Sequence, residues 1–325
     1  MTFRFAPALL VAAAVGTLAA VLPAHAYPTK PITMVVPFAP GGGTDIVARF
    51  VAEAMSRELG QSVVIDNRGG AGGTVGIGYL SKLRPDGYSI GVGSTSTQAI
   101  GPVTLPQVPY DPVKDFVPVA LMAETPYVIA VNPKLNVKTL QELIDLAKAR
   151  PGKLNYGSAG TGSTTHLSSA MFARMAGIEM EHIAYKGNAP AANALLGGEI
   201  EMLMGTLPSL LSQIRSGTVR ALAVTGARRS PEVPEIPTVQ EAGVKGYEAS
   251  IWYGIIAPRG TPAEAIKRLQ QSVAKVMQDP ELGKRIRGAG AEPLTSTPEE
   301  FAKKIDQDIA TYRQVVKDIG FKATN

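Results

Sequence analysis

Short runs of β-branched and aliphatic residues alternate along this chain with segments whose apolar positions recur every three to four residues. The runs Ile32 to Val36, Val63 to Asp66, Ser89 to Val92, Val117 to Ala123, Tyr127 to Val131, Met180 to Ile183, Ile200 to Met204, Val219 to Val224 and Trp252 to Ala257 predict strands. Helical patterns fill the gaps. Thr139-Leu140-Gln141-Glu142 has the form of a capping box and predicts an amphipathic helix through Arg150, stopped by Pro151-Gly152. Thr297-Pro298-Glu299-Glu300 opens a last helix by the same logic, reaching Asp318 before Gly320. The prolines of Ser230 to Pro237 exclude a regular helix or a central strand there, leaving a connection near a lobe boundary. This alternation predicts an α/β fold with largely parallel sheets.

The joints between strand and helix carry the candidate chemistry. At Val35 to Val47 a buried-type strand breaks on Gly41-Gly42-Gly43 and turns directly into a helix. The first N–H groups of a helix have no intrahelical acceptor and lie at the positive end of its dipole, so such a joint can hold an anion. Gly42, Gly43 and Thr44 are the expected main-chain donors, with Phe38 either an apolar wall or an ordinary core residue. Asp45 would repel an acid, so it is expected to cap the helix or hold ordered water. The design recurs at Leu154 to Leu167, where Ser158, Thr161, Gly162, Ser163 and Thr164 offer N–H and hydroxyl donors. Two further loops, Asn67 to Gly73 with Gly70 and Ala71, and Ser94 to Thr97 with Ser94 and Thr95, leave the carboxyl ends of expected strands, where open α/β sheets bind ligands. The plainer alternatives are a tight turn, a surface loop and a helix cap without a ligand.

Composition narrows what the ligand can be. Arg4, the uncharged run Ala6 to Leu22 and Ala24-His25-Ala26 have the form of a secretory signal cleaved before Tyr27, and the run is too short for an anchor. There is no cysteine, hence no disulfide and no lipid-bearing cysteine, which suits a free protein in an oxidising compartment. With 32 Lys and Arg against 27 Asp and Glu, the net charge of +5 favours anionic ligands. Nucleic acid is not implied, because no basic run exceeds the pairs Arg228-Arg229, Lys284-Arg285 and Lys303-Lys304, and aromatics are not interleaved with them. His166 and His182 lack metal-like spacing: His166 is expected to pack on its own loop and His182 to lie in a strand. Lys186 either guides an anion or is a solvated turn residue.

An exported enzyme finds little support. The chain has no Gly-x-Ser-x-Gly elbow, no HExxH, no phosphate loop and no Gly-x-Gly-x-x-Gly, and a cysteine nucleophile is excluded. Ser272-Val273-Ala274-Lys275 matches Ser-x-x-Lys, but inside an amphipathic stretch and without companion elements.

In order and spacing, a series of motifs across the chain from Tyr27 on resembles the Bug-type solute-binding proteins, receptors of tripartite tricarboxylate transporters. They are Tyr27 to Ile32, Pro37 to Asp45, Asp66 to Gly73, Pro85-Asp-Gly-Tyr88, Tyr110-Asp-Pro112, Tyr185-Lys-Gly187, Arg220 to Val224, Pro237-Thr238 with Glu241-Ala-Gly243, and Trp252-Tyr-Gly254. The resemblance implies a two-lobed periplasmic binding protein of the second topological type, each lobe a sheet flanked by helices around a ligand cleft. One lobe would combine residues 27–126 with 250–325, and the other would be 127–249. It implies a monomer in the periplasm, with no cofactor, metal, catalytic residue or membrane insertion. Its partners would be a small carboxylic acid and the transporter's membrane subunits, with both glycine loops at the cleft. Gly205-Thr206 stand where many relatives carry an acidic or amide side chain. That favours a ligand without a primary amine, a di- or tricarboxylate or an aromatic acid, near Thr206. A sensor partner of a membrane receptor and an exported hydrolase are the alternative functions.

Overall fold

The computed structural model describes Thr2 and residues 27–322; the remainder of the expected leader lies outside the described residues. The strands are β1 (Ile32–Val36), β2 (Val63–Asn67), β3 (Ser89–Ser94), β4 (Phe116–Val131), β5 (Asn155–Ser158), β6 (Glu181–Ala184), β7 (Met202–Thr206), β8 (Arg220–Val224), β9 (Ser250–Pro258) and β10 (Glu292–Pro293). The α-helices are α1 (Gly43–Leu59), α2 (Thr74–Leu80), α3 (Gly101–Thr104), α4 (Leu140–Ala149), α5 (Thr164–Ala176), α6 (Asn188–Gly197), α7 (Leu207–Arg215), α8 (Ala263–Val276), α9 (Pro280–Gly288) and α10 (Pro298–Ile319).

The sheet order is β2-β1-β3-β9-β4-β7-β5-β6, with β8 and β10 also pairing with β4. Between named strands, parallel pairing is confined to the two flanks, β1 with β2 and β3, and β5 with β6 and β7. Every pairing of β4 and β9 is antiparallel, which corrects the expectation of largely parallel sheets. The flanks are built from helix-linked crossovers, which give parallel neighbours. By contrast, β9 returns from late in the chain and runs against both strands beside it.

Strand β4 is one element where two were expected. Glu124-Thr125-Pro126 interrupts the apolar pattern, yet these residues pair with Trp252, Ile251 and Ser250. Pro126, which has no N–H to donate, closes the pairing with β9, and Tyr127 opens the pairing with β7. The sheet therefore has two halves, one on each side of this point, with β4 passing through both.

Helix ends follow the sequence. Thr297 Oγ1 accepts from Glu300 N at 3.2 Å and Thr297 N donates to Glu300 Oε2 at 2.8 Å, a complete capping box. At α4 the Thr139 hydroxyl accepts from Glu142 N, but the Glu142 carboxylate takes Lys138 N, so only half of the box forms. Helix α10 lies against β4 and clamps β9: Trp252 stacks edge-on against Phe301 and its Nε1 donates to Asp308 at 2.6 Å. A buried apolar core runs through both halves, from Ile32 and Val47 to Leu143, Phe172 and Met202.

Candidate functional site

Helix α1 starts on Gly42, which has no side chain to cap it, and the first intrahelical bond is Ile46 N to Gly42 O at 2.9 Å. The N–H groups of Gly43, Thr44 and Asp45 thus have no intrahelical acceptor. Helix α6 begins the same way on Gly187, again without a side-chain cap.

Asp45 faces away from that opening. Its Oδ2 accepts from Gly41 N and from Arg49 Nε, both at 2.9 Å, and its Oδ1 accepts from Asn67 Nδ2 at 2.9 Å. Asn67 Nδ2 also donates to Phe38 O at 3.1 Å, so the carboxylate braces the loop from behind. Burial pushes the Asp45 carboxyl up, but the Arg49, Gly41 and Asn67 hydrogen bonds outweigh it and hold the group below the usual range. Asp45→Asn is expected to cost about 1–3 kcal/mol of stability at neutral pH by unpairing Arg49 and Gly41 N. A carboxyl with a lowered folded pKa stabilises above its ordinary value and loses that contribution as pH falls through the folded value. Melting curves of the two proteins should therefore converge as the pH drops below about 4.

Helix α5 is capped by Ser163, whose Oγ accepts from His166 N at 3.3 Å, while Thr164 N donates to Ser96 Oγ at 2.9 Å in the opposite half. The preceding loop uses its donors internally. Gly160 N donates to Ser158 Oγ, Ala159 N to Thr165 Oγ1, and Gly162 N to His166 Nδ1. Ser158 Oγ sits 2.6 Å from His182 Nε2, and the two imidazoles stack at 3.6 Å, tilted by 11°. Burial, then the neighbouring imidazole, pushes His166 down to about 3, and burial pushes His182 down to about 4. Both rings are neutral near pH 7, so the donors at this end of the site carry no charge.

Between the helix starts lies a cavity of about 10 Å³, room for one water. Of the expected residues, Phe38, Gly42, Gly43, Thr44 and Thr164 line it. Ser96, Tyr127, Ala159, Thr165, Asn188 and Ile251 line it too and were not singled out. Tyr127 and Ile251 read as plain strand residues in sequence, because nothing local shows which face of β4 or β9 meets the cleft. Asn188 follows Gly187 at a helix start, which is the signal that could have marked it. The walls carry no charged side chain. Tyr127 Oη and Asn188 Oδ1 are buried without a hydrogen-bond partner.

The other expected residues lie around the cavity and do not line it. Ser94 hydrogen-bonds with Thr97, and Thr95 Oγ1 accepts from Trp252 N. Thr206 packs beside Gly43, with its hydroxyl donating to Ser209 Oγ at 3.0 Å and accepting from Asn188 Nδ2 at 3.3 Å. The Gly70 and Ala71 loop, together with Thr161, Gly162 and Ser163, forms a contact between the halves. A Cβ on Gly72 would lie 2.8 Å from Thr161 O and 2.9 Å from Ser163 N. Ala39 N donates to Lys186 O at 3.1 Å across the same seam, while the Lys186 side chain is exposed. On the opposite face of the same two strands, Glu124, Pro126 and Ser250 line an open crevice of about 590 Å³. The halves are shut at the front and parted behind.

The profile of the "Tripartite tricarboxylate transporter family receptor" matches residues 47–321. The chain belongs to this receptor family. Protein BugT of Bordetella pertussis is 37% identical over 310 residues, covering 95% of each chain. A Rhodopseudomonas palustris protein solved with adipate is 38% identical, with a TM-score of 0.88 over 90% of this chain and 98% of that one. MatC from Rhodopseudomonas palustris, solved with bound malate, is 31% identical, with a TM-score of 0.85 over 89% of this chain and all of that one. The fold of the receptor is thus the two-lobed periplasmic binding protein fold. Among the described residues no helix is long and apolar enough to cross a membrane, and no cluster of side chains could hold a metal ion.

Proposed function

We propose that this receptor captures a small di- or tricarboxylic acid in the periplasm and presents it, unchanged, to the membrane subunits of a tripartite tricarboxylate transporter. The observation that carries the reading is the convergence of the α1, α5 and α6 N-termini on one cavity without a charged side chain on its wall. The uncapped starts of α1 and α6 favour anions through oriented N–H groups, while the start of α5, capped by Ser163, adds the hydroxyls of Thr164 and Thr165. Relatives solved with adipate and malate support a linear acid with a carboxylate at each end. Gly42, Gly43 and Thr44 would hold one end; Thr164, with Thr165, would hold the other.

The lobes of this reading are residues 27–126 with the C-terminal part from 250, and residues 127–249. The change of strand partner at Pro126 and Tyr127 supports that division. A four-carbon acid exceeds the shut cavity, so uptake requires the lobes to part and then to close around the ligand. Gly70, Ala71, Thr161, Gly162 and Ser163 then serve closure in place of direct contact.

Mass spectrometry of the small molecule released from purified protein, followed by calorimetry with that compound, tests the reading. A polycarboxylic acid, bound and returned intact, is the expected result. A neutral or cationic compound, or turnover of the acid, would overturn it.

A further inference from the structure

We propose that Asn188 and Tyr127 select, among the dicarboxylic acids that the site is read as capturing, those with a hydroxyl on the carbon chain between the carboxylates. The inference rests on that reading and adds the chemistry of the middle of the ligand. Asn188 is nine-tenths buried and Tyr127 fully buried; both line the cavity, Asn188 Oδ1 has no partner, and Tyr127 Oη makes no well-formed hydrogen bond, only a weak approach to the Thr164 side chain on the same wall.

The orientation of the Asn188 amide follows from its neighbours. Ser209 Oγ donates to Thr206 O at 2.7 Å, which leaves Ser209 an acceptor for the Thr206 hydroxyl proton at 3.0 Å. Thr206 Oγ1 then has only lone pairs to offer, and Asn188 meets it with Nδ2 at 3.3 Å. Its acceptor, Oδ1, is what remains for the cavity. An acceptor on the wall of a carboxylate site repels a carboxylate and needs a donor. Tyr127 Oη can supply a proton to, or take one from, the same group.

A ligand hydroxyl satisfies both atoms, since it donates once and accepts twice. An ammonium would also donate, but it would be buried with no acidic side chain on the cavity wall to pair with it. A plain methylene chain would leave both polar atoms unpaired, and a site built to bind a hydroxyl rejects analogues that lack one.

Calorimetry on the protein stripped of endogenous ligand tests this with three matched sets. They are succinate, malate and aspartate; glutarate, 2-hydroxyglutarate and glutamate; adipate, 2-hydroxyadipate and 2-aminoadipate. At each length that binds, the hydroxy acid is expected to bind at least fivefold more tightly than its parent, and the amino acid most weakly. Asn188→Ala should bring hydroxy acid and parent within about twofold, mainly by weakening the hydroxy acid. Tyr127→Phe, which keeps the ring, should shrink the preference in the same direction. A parent acid that binds as tightly as its hydroxy form would overturn the inference and leave the carboxylate reading standing. So would a preference that survives Asn188→Ala, or an amino acid that binds best. Failure of all nine compounds to bind would overturn this inference, and failure of citrate and tricarballylate as well would overturn the carboxylate reading with it.

Discussion

Gly43→Val is expected to abolish ligand capture, while Lys186→Ala should weaken it by no more than about fivefold. Gly43 is the first residue of α1 and lines the cavity. A Cβ there would stand 2.5 Å from Thr206 Oγ1 and 3.1 Å from Tyr253 Oη, both buried, so no flexible side chain can yield. The backbone of Gly43 is in the ordinary helical region, and the loss would come from occupied space, not from a strained turn. Valine would wedge the lobes apart at this joint and cover the N–H groups proposed to hold the ligand.

Lys186 is the opposite case. Its side chain is exposed and lies outside the cavity wall, so its charge acts through water and salt and is screened over about 8–10 Å. Calorimetry on both variants, with circular dichroism to confirm folding, checks the ranking. The reverse order would place the anchor on the lysine and remove main-chain capture as the principle of the site.

The uncapped joint between β1 and α1 was legible in the sequence because its signal is local. Three glycines between a buried-type strand and an amphipathic helix require a close backbone approach, and Gly42, Gly43 and Thr44 do line the cavity. The second loop was legible as a helix start but not as a wall. Ser158 and Ser163 look like ligand donors until their partners are known, and those partners are His182 and His166 N. His182 lies on another strand, brought beside Ser158 by the pairing of β5 with β6. Asn67 to Gly73 shows the same limit. Its glycines do signal close approach, but what approaches is the main chain of the other half, near Thr161 and Lys186. Tyr127 and Ile251 were out of reach for a different reason: they reach the cleft only because β4 and β9 cross between the halves, a non-local pairing that no window of sequence contains. Sheet direction failed similarly, since βα alternation reports the flanks and is silent about a strand that returns from late in the chain.

Gly69→Ala is expected to hold the lobes apart and weaken binding at least tenfold without touching the cavity. Gly69 has an ordinary φ and does not line the site. Its added Cβ would stand 2.7 Å from Lys186 O, 3.0 Å from Ala39 N and 3.3 Å from Phe38 C, all backbone atoms. The first two are the partners of the 3.1 Å hydrogen bond that ties the halves together at this seam. A methyl group at that position must push them apart, whereas loss of this one hydrogen bond alone would cost about 0.5–1.5 kcal/mol. Gly288→Ala is the matched control, because a Cβ there meets nothing and its φ is ordinary. Solution scattering on ligand-saturated protein should give a larger radius of gyration for Gly69→Ala than for the parent or the control, and dissociation should be faster. If Gly69→Ala compacts on binding and holds the ligand as the parent does, the glycine seam is not what closes the receptor. The shut front would then be maintained by Thr164 N on Ser96 and by packing around Gly43.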